Sequence, residues 1–328
     1  MSAPLRMPAE WASHERTIVC WPARESMWQE RFAAAKGEHA AVANAIAAFE
    51  PVTLAVDPSQ EAEARAAVRG DVDVVAIPLD DSWARDSGPI FVTGDGSRAG
   101  VHFGFNAWGE KFSPYDRDAA FGVRVLEHLG EERVDAGDLI LEGGSIAVDG
   151  EGTLITTEQC LLHPNRNPAL SREQIEARLR ETLGVERIVW LGLGLVEDDD
   201  TDGHVDNICA WIEPGRALLQ TVADEADPNY AHCRENVGRL LSAGIEVVEL
   251  DVLPRLRHDG SPTVVPYVNF YVANGALIVP VTGAETDAAA LELLEGLYPG
   301  REAVPVSGTT LALGGGGVHC ITQQVPAP

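Results

Sequence analysis

Basic residues are scarce in this chain. Only 24 Lys and Arg stand against 51 Asp and Glu over 328 residues, which gives a formal net charge of −27. Nucleic acids and anionic lipids are bound through basic surfaces, so this shortage argues against both as partners. Such an acidic surface can speed the encounter with a cationic substrate, although high negative charge also serves solubility alone.

Long apolar runs are also missing. No stretch approaches the roughly 18 consecutive apolar residues of a transmembrane helix. Residues 1–16 are polar and contain no apolar core of a secretory signal. We therefore expect a cytoplasmic protein that does not bind or cross a membrane.

Cysteine is rare and scattered, with five residues and no CxxC pair. Such a set favours free thiols in a reducing compartment. Four cysteines lie in or beside apolar runs or in a helical pattern, where a buried structural thiol is the usual role: Cys20, Cys160, Cys209 and Cys233. Cys320 differs from them because it follows four consecutive glycines.

The chain has no linker, low-complexity stretch or repeat of fixed period, so we expect residues 1–328 to form a single domain. Short β-rich segments alternate with helical patterns, which indicates an α/β architecture but does not distinguish an open sheet from a ring of βαβ units. Strands are predicted at residues 17–21, 52–56, 72–77, 99–103, 153–156, 187–191, 217–221, 245–250 and 276–279. Helices are predicted at residues 30–49, 61–69, 117–129, 171–183, 228–243 and 287–297. Ser171 and Gln174 have the spacing of a capping box, and Gly244 can end the helix before it.

Four segments at predicted strand ends concentrate Gly, acids, His and Cys: residues 80–89 (DDSWARDSGP), 141–146 (LEGGSI), 197–207 (EDDDTDGHVDN) and 314–324 (GGGGVHCITQQ). Loops at such places often carry functional side chains. In the last segment the glycines let the backbone approach a ligand closely. Cys320 beyond them is a candidate nucleophile, which needs a cationic neighbour to become a thiolate.

The acidic segment allows several readings. It opens like an EF-hand loop, but the twelfth position holds Cys209 instead of the required glutamate, which excludes calcium. A zinc set of His204, Asp206, His319 and Cys320 has no recognised spacing. What remains is His204 and Asp206, two residues apart, which point to the same side of an extended backbone. That pair suits an acid/base group beside a cation-binding carboxylate.

Asp86, Glu142 and His319 each have an ordinary structural explanation when taken singly. Asp86 precedes a Gly-Pro turn and Glu142 precedes two glycines, so either can be a turn or loop residue. His319 is adjacent to Cys320, and adjacent residues on a strand face opposite sides, so we interpret His319 as structural. One Cys, one His and three acids together on glycine-rich turns are harder to explain in this way.

Together these segments resemble the agmatine deiminase family, within the wider guanidino-group-modifying enzymes. The matching motifs run nearly end to end: residues 8–21, 83–92, 105–109, 141–152, 165–168, 201–207, 268–275 and 319–324. The resemblance implies a five-bladed, pseudo-fivefold α/β propeller with the active site in its central cavity. It also implies hydrolysis of agmatine, a small cationic guanidino substrate, to N-carbamoylputrescine and ammonia, without a metal or organic cofactor.

The resemblance also implies catalytic roles. Cys320 corresponds to the nucleophile that forms a covalent amidino-thioether, and His204 to the general acid that later activates water. Glu142 corresponds to a group that hydrogen-bonds the substrate and orients His204. Asp86 and Asp206 correspond to the carboxylates that hold the guanidinium nitrogens.

Other features leave the substrate open. The resemblance also implies that Trp83 lines the substrate pocket. The chain is shorter than typical members around residues 257–266, and Glu110 follows the FNAWG motif where a second glycine is common. Both departures concern the pocket mouth. A homodimer is expected only at the level of the family.

Three alternatives therefore stay open. The first is deimination of arginine or a peptidyl-arginine end, which needs basic donors for the carboxylate, such as Arg85 or Arg166. The second is amidino transfer to an amine. The third is a non-catalytic guanidinium-binding protein, although binding alone would need neither Cys320 nor His204.

Overall fold

A computed structural model describes residues 5–258 and 261–328. Within these ranges, no helix has both the length and the apolar character needed to span a bilayer. Of residues 257–266, where the sequence predicts a shortened loop, residues 259 and 260 lie outside the described part of the chain.

The fold consists of short strands and mostly short helices. The strands are β1 (His14–Cys20), β2 (Val52–Val56), β3 (Asp73–Ala76), β4 (Ile90–Gly94), β5 (Ser97–Gly104), β6 (Glu132–Ile140), β7 (Ile146–Val148), β8 (Thr153–Thr157), β9 (Arg187–Leu191), β10 (Cys209–Glu213), β11 (Arg216–Gln220), β12 (Glu246–Leu250), β13 (Arg255–His258), β14 (Ser261–Val264), β15 (Tyr271–Ala273), β16 (Ala276–Val281), β17 (Glu302–Ser307) and β18 (Thr322–Pro326). The helices are α1 (Glu25–Trp28), α2 (Phe32–Ile46), α3 (Glu61–Ala67), α4 (Ala84–Ser87), α5 (Ala107–Glu110), α6 (Asp116–Ala119), α7 (Phe121–Leu129), α8 (Glu158–Leu161), α9 (Arg172–Leu183), α10 (Tyr230–Ser242), α11 (Asp287–Leu297) and α12 (Thr309–Leu313).

Five sheets repeat one pattern. In each, a short first strand pairs antiparallel with a second, and a third strand pairs parallel with the second after a helical crossover. The orders are β4-β5-β6, β7-β8-β9, β10-β11-β12, β15-β16-β17 and β18-β1-β2-β3. Because β18 pairs with β1, the last sheet joins the two ends of the chain.

The crossover helices are α7, α9, α10, α11 and α2, one for each sheet. Each lays an apolar face on its own sheet, as in α9, where Ile175, Leu179 and Leu183 are buried. The buried apolar side chains form five clusters rather than one continuous core. Each cluster combines side chains from two neighbouring modules, so the five modules are packed together through shared cores.

Most predicted elements lie where the sequence places them, and two predicted caps are confirmed. Ser171 and Gln174 form a reciprocal capping box at the start of α9. Gly244 follows α10 with a φ of 74°, a left-handed conformation that favours glycine. The helix predicted at 30–49 begins as a 3-10 turn and its α-helical part ends at Ile46. The helix predicted at 117–129 is interrupted at Ala120 and forms α6 and α7.

Candidate active site

The candidate site is built from the segments that lead into the first strand of each module. Asp86 precedes β4, Glu142 precedes β7, Asp206 precedes β10, Asn269 precedes β15 and Cys320 precedes β18. These five segments meet, because the side chains of neighbouring ones contact each other. The repeated module thus places one polar group from each repeat around a common centre.

Asp86 is a buried carboxylate held on both oxygens. Trp108 Nε1 donates to Oδ2 at 2.9 Å, and the backbone N–H of Gly144 donates to Oδ1 at 3.0 Å. Burial raises the pKa of Asp86 to about 6, with further contributions from the carboxylates of Asp206 and Glu142, while His204 opposes the shift. Three acids in one buried centre favour a cationic ligand, because a cation would relieve their mutual repulsion.

Glu142 is fully buried against a guanidinium of the protein itself. Arg166 Nε donates to Glu142 Oε1 at 2.6 Å, and Arg166 Nη1 donates to Asp202 Oδ2 at 2.8 Å. The other oxygen of Glu142, Oε2, has no hydrogen-bond partner within the described residues. One oxygen is therefore fixed by Arg166 and the other remains for a ligand.

His204 has no exposed surface, and neither ring nitrogen has a hydrogen-bond partner within the described residues. Its Nδ1 lies 3.8 Å from Asp86 Oδ1. Its backbone N–H donates to Asp198 Oδ2 at 3.2 Å, and Asp198 also accepts from the N–H groups of Thr201 and Gly203. Asp198 therefore stabilises the tight turn that leads into His204. Both ring nitrogens of His204 can take part in proton transfer.

Cys320 lies at the centre and is 3% exposed. Its Sγ lies 3.6 Å from Asp206 Oδ2 and 3.4 Å from Asn269 Nδ2. Burial raises the pKa of the Cys320 thiol well above its usual value, and the carboxylates of Asp206 and Asp86 add to the shift. These surroundings favour the protonated thiol, and a bound cation would favour the thiolate.

The glycines before Cys320 allow close packing around it. A Cβ on Gly316 would collide with the ring of Trp83, and a Cβ on Gly314 would collide with Trp28. Trp83 is itself buried, and its ring lies 6.5 Å from that of Trp108, edge to face. The sequence predicted a close approach of this backbone to a ligand, and the structure shows two of the glycines packed against tryptophan rings.

A cavity reaches Cys320 between these walls. Its lining comprises Met27, Trp83, Asp86, Trp108, Phe112, Asp200, Thr201, the glycines at 314–316 and Cys320. No lysine or arginine belongs to this lining among the described residues. Aromatic faces with carboxylates suit an organic cation.

One cluster offers metal-ligand atoms. The donor atoms of Glu142, Cys160 and His204 lie within 4.8 Å of one another. However, Arg166 already holds Glu142, and burial, followed by the charge of Glu142, raises the pKa of Cys160 well above its usual value. A protonated thiol and an adjacent guanidinium fit a divalent ion poorly. The zinc set considered from the sequence includes His319 and not Glu142 or Cys160. Both ring nitrogens of His319 already contact carboxylates, so neither is left to bind a metal ion.

Asn269 and Trp108 were not assigned roles from the sequence, and Arg166 was considered only as a donor to a substrate carboxylate. Asn269, Trp108 and Arg166 lie within family-like motifs, but nothing in their spacing shows that they reach Cys320, Asp86 or Glu142. His319, interpreted as structural, hydrogen-bonds Asp206 Oδ2 through Nδ1 at 2.9 Å. Equivalence among the five modules would have identified Asn269, because it precedes β15 as Cys320 precedes β18.

Known proteins resemble the chain in fold and in sequence. The protein named DDAH from Pseudomonas aeruginosa matches with a TM-score of 0.52 at 15% identity, over 95% of this chain and 99% of that chain, a likeness of fold alone. Agmatine deiminase of Enterococcus faecalis matches with a TM-score of 0.95 at 33% identity, over 98% of this chain and 96% of that chain. The five-module α/β propeller is therefore confirmed.

The family follows from the full-length matches. The family model described as Porphyromonas-type peptidyl-arginine deiminase matches residues 6–326. The agmatine deiminase of Pseudomonas fluorescens is 45% identical over 357 residues, covering 98% of this chain and 95% of its own length. The chain belongs to the Porphyromonas-type peptidyl-arginine deiminase family, and its resemblance to agmatine deiminases is confirmed. Since the 357 aligned residues exceed the 328 of this chain, the relative has residues that this chain lacks.

Proposed function

We propose that the protein hydrolyses agmatine to N-carbamoylputrescine and ammonia through an amidino-thioether on Cys320. The observation that carries the proposal is a buried thiol beside Asp206, at the end of a cavity with aromatic and acidic walls. The names of relatives at 45% and 33% identity support the same reaction and substrate. Residues 1–328 would act as one catalytic unit. Dimerisation and a cytoplasmic location remain predictions.

The carboxylates supply the binding site for the guanidinium in this proposal. Asp86 and Asp206 hold its nitrogens, and the unpaired oxygen Oε2 of Glu142 accepts a further N–H. A planar cation fixed by several acceptors presents its carbon to Sγ in one orientation, which supplies proximity. Its charge also compensates the acids that keep the pKa of the thiol high. The substrate therefore helps to activate the nucleophile that attacks it.

The proposed chemistry has two steps. In the first, Sγ loses its proton to His204 and bonds to the guanidinium carbon, and a carbon–nitrogen bond then breaks as His204 returns a proton to the departing ammonia. In the second, His204 takes a proton from water, the oxygen bonds to the same carbon, and the carbon–sulfur bond breaks as His204 returns that proton to the departing sulfur. The remaining proton on the oxygen passes to solvent as the carbonyl forms. The products are the carbamoyl compound and the free thiol, and no electrons are gained or lost.

The protonation of Asp86 should determine how kcat/KM falls at acidic pH. Its raised pKa of about 6 means that the carboxyl gains a proton as the pH falls through 6, and a neutral carboxyl no longer attracts a guanidinium. We expect kcat/KM to fall about tenfold per pH unit below about pH 6. Initial rates at low agmatine concentration between about pH 5 and pH 8 would measure this. A flat profile over that range would refute the assignment.

The cavity favours agmatine over arginine. An α-carboxylate needs a basic partner, but Arg85 and Arg166, the candidates in the sequence, are both buried and committed to other groups. Arg85 donates to Gln324 and pairs with Glu10, and Arg166 pairs with Glu142 and Asp202. The lining instead includes Asp200, whose pKa is raised first by burial and then by neighbouring aspartates. A carboxylate there would be repelled, whereas a terminal ammonium would be attracted.

Asp200→Asn should therefore weaken agmatine binding. Removing one half-buried charge opposite an ammonium is expected to raise KM about tenfold with little change in kcat. Steady-state kinetics on agmatine would measure it, with Asp199→Asn as the matched control, since Asp199 does not line this cavity. Equal KM values for the wild type and Asp200→Asn would place the ammonium elsewhere.

Ammonia release tests the proposed function directly. Purified protein would be given agmatine, arginine and a blocked peptidyl-arginine in parallel, with Cys320→Ala as the control. Turnover of agmatine alone that requires Cys320 supports both reaction and substrate. Turnover of arginine or the peptide would keep the chemistry but change the specificity. Ammonia release that required an added amine would indicate amidino transfer, and agmatine binding without turnover would indicate a binding protein.

A further inference from the structure

His319 connects the candidate catalytic centre with a carboxylate on its far side. Its ring is buried between two acids, with Nδ1 2.9 Å from Asp206 Oδ2 and Nε2 2.7 Å from Glu10 Oε1. The same oxygen of Asp206 lies 3.6 Å from Cys320 Sγ. Although His319 and Cys320 are adjacent in sequence, the imidazole thus reaches the sulfur's surroundings through Asp206.

The two contacts determine how many protons the ring carries. An ionised carboxylate only accepts hydrogen bonds, so both ring nitrogens need a hydrogen to satisfy Glu10 and Asp206 together. A neutral imidazole has one N–H and would leave one short contact between two acceptors. The geometry therefore favours an imidazolium between two carboxylates.

The charged groups around the ring agree with this state. They are Glu10 from the N-terminal segment, Asp206 from the turn before β10 and Arg85 from α4, whose Nη1 lies 3.2 Å from Glu10 Oε1. Burial and Arg85 lower the pKa of His319, but the two carboxylates outweigh them, so the pKa lies above its usual value. The pKa of Glu10 is lowered to about 2, because His319 and Arg85 outweigh its burial.

Asp206 depends on this contact more than Asp86 depends on any one partner. Asp86 is held by Trp108 and by the backbone of Gly144. Among the described residues, the side chain of Asp206 contacts only His319 and the thiol of Cys320 through hydrogen bonds, and Oδ1 has no partner. Without His319, nothing else would hold Oδ2 beside the sulfur.

We propose that His319 is a positioning residue: an imidazolium, anchored by Glu10, that fixes the carboxylate of Asp206 next to Cys320. This inference rests on the proposed function, in which Asp206 holds the guanidinium. Because the charge of His319 is present below its raised pKa and is lost as the pH rises through it, agmatine affinity should decline on the alkaline side. Glu10 also pairs with Arg85, but in this proposal its effect on agmatine affinity comes through His319.

The protonation state can be measured without substrate. In protein labelled with ¹⁵N at histidine, both ring nitrogens of His319 should carry hydrogen at neutral pH, assigned by the signal that disappears in His319→Asn. Glu10→Gln keeps the shape of the side chain but removes its charge, so the titration of His319 should move to lower pH. A singly protonated ring at neutral pH, or an unmoved titration in Glu10→Gln, would overturn the proposal.

The positioning role is tested by affinity in Cys320→Ala protein, which cannot turn agmatine over. Adding His319→Asn should weaken agmatine binding about tenfold or more, since a charge-assisted contact is lost. Adding Glu10→Gln should move the alkaline decline to lower pH. His102→Asn is the matched control, because His102 is half-buried in β5 and belongs to neither the site nor its contacts. This substitution should leave agmatine affinity unchanged. Unchanged affinity in His319→Asn would refute positioning.

A failure of the proposed function can be distinguished from a failure of the inference about His319. If Cys320→Ala with His319 intact binds no agmatine, the substrate is wrong, and the titration still decides whether His319 is an imidazolium held by Glu10. If His319→Asn does not fold, Glu10→Gln carries both tests.

Discussion

Replacing Cys320 with alanine should abolish ammonia release from agmatine. The proposed first step forms a bond from Sγ, and no other thiol lines the cavity among the described residues. We expect kcat to fall by on the order of 10⁴-fold or more, as for removal of a covalent nucleophile elsewhere. Binding should survive, because the carboxylates that hold the guanidinium remain. Steady-state ammonia release and calorimetric titration with agmatine would measure the two effects.

Cys233→Ala is the matched control. Cys233 is also buried, but it lies in α10 and packs in the apolar cluster between the β7-β8-β9 and β10-β11-β12 modules. Its loss should cost a little stability and leave kcat close to that of the wild type. Both variants should give the circular dichroism of the folded protein. Wild-type turnover by Cys320→Ala would refute the proposed mechanism.

Gly144→Ala should be the second most damaging change, although it adds only a methyl group. A Cβ at this position would lie 2.6 Å from His204 Nδ1 and 2.9 Å from both Asp206 Oδ2 and Asp86 Oδ1. These distances are too short for any real contact, so at least one of the three groups must move. A displacement of about 1 Å in a reacting group can cost roughly 100-fold in rate. We expect kcat/KM for agmatine to fall by at least that factor.

Gly238→Ala provides the comparison. Gly238 lies within α10, and a Cβ there would meet nothing within 4 Å. The same substitution in an open helical position should preserve activity and raise helix propensity. If Gly144→Ala kept wild-type kcat/KM, the carboxylates and His204 would not be as closely confined as the geometry indicates.

Prediction from the sequence succeeded for the strands at the middle of each sheet. β1, β5, β8, β11 and β16 were all predicted, because a central strand buried on both sides reads as a short apolar run. The first strand of every module was missed. β7 and β15 have only three residues each, and β18 contains two glutamines and a proline although it is entirely buried. Such segments follow no simple alternation of apolar and polar residues.

The candidate site, too, could be predicted from the sequence only in part. Cys320, His204 and the acids could be singled out because they combine reactive groups with glycine-rich turns at strand ends. Their convergence could not be predicted from spacing, since Asp86 and Cys320 are separated by most of the chain. Only the repeated module brings their segments together. The contacts made by His319 and Arg166 likewise depend on which side chains the fold places opposite them.

The pairing of β18 with β1 has a consequence for how this protein loses function. Cys320 lies two residues before β18, and β18 pairs with β1, so the position of the sulfur proposed as the nucleophile depends on this pairing of the last strand with the first. Separation of β18 from β1, for example on mild warming, would displace this sulfur while the four three-stranded modules keep their strand pairing. Activity should therefore be lost on heating before most of the secondary structure is lost. Its loss would report the separation of β18 from β1 rather than unfolding of the whole protein.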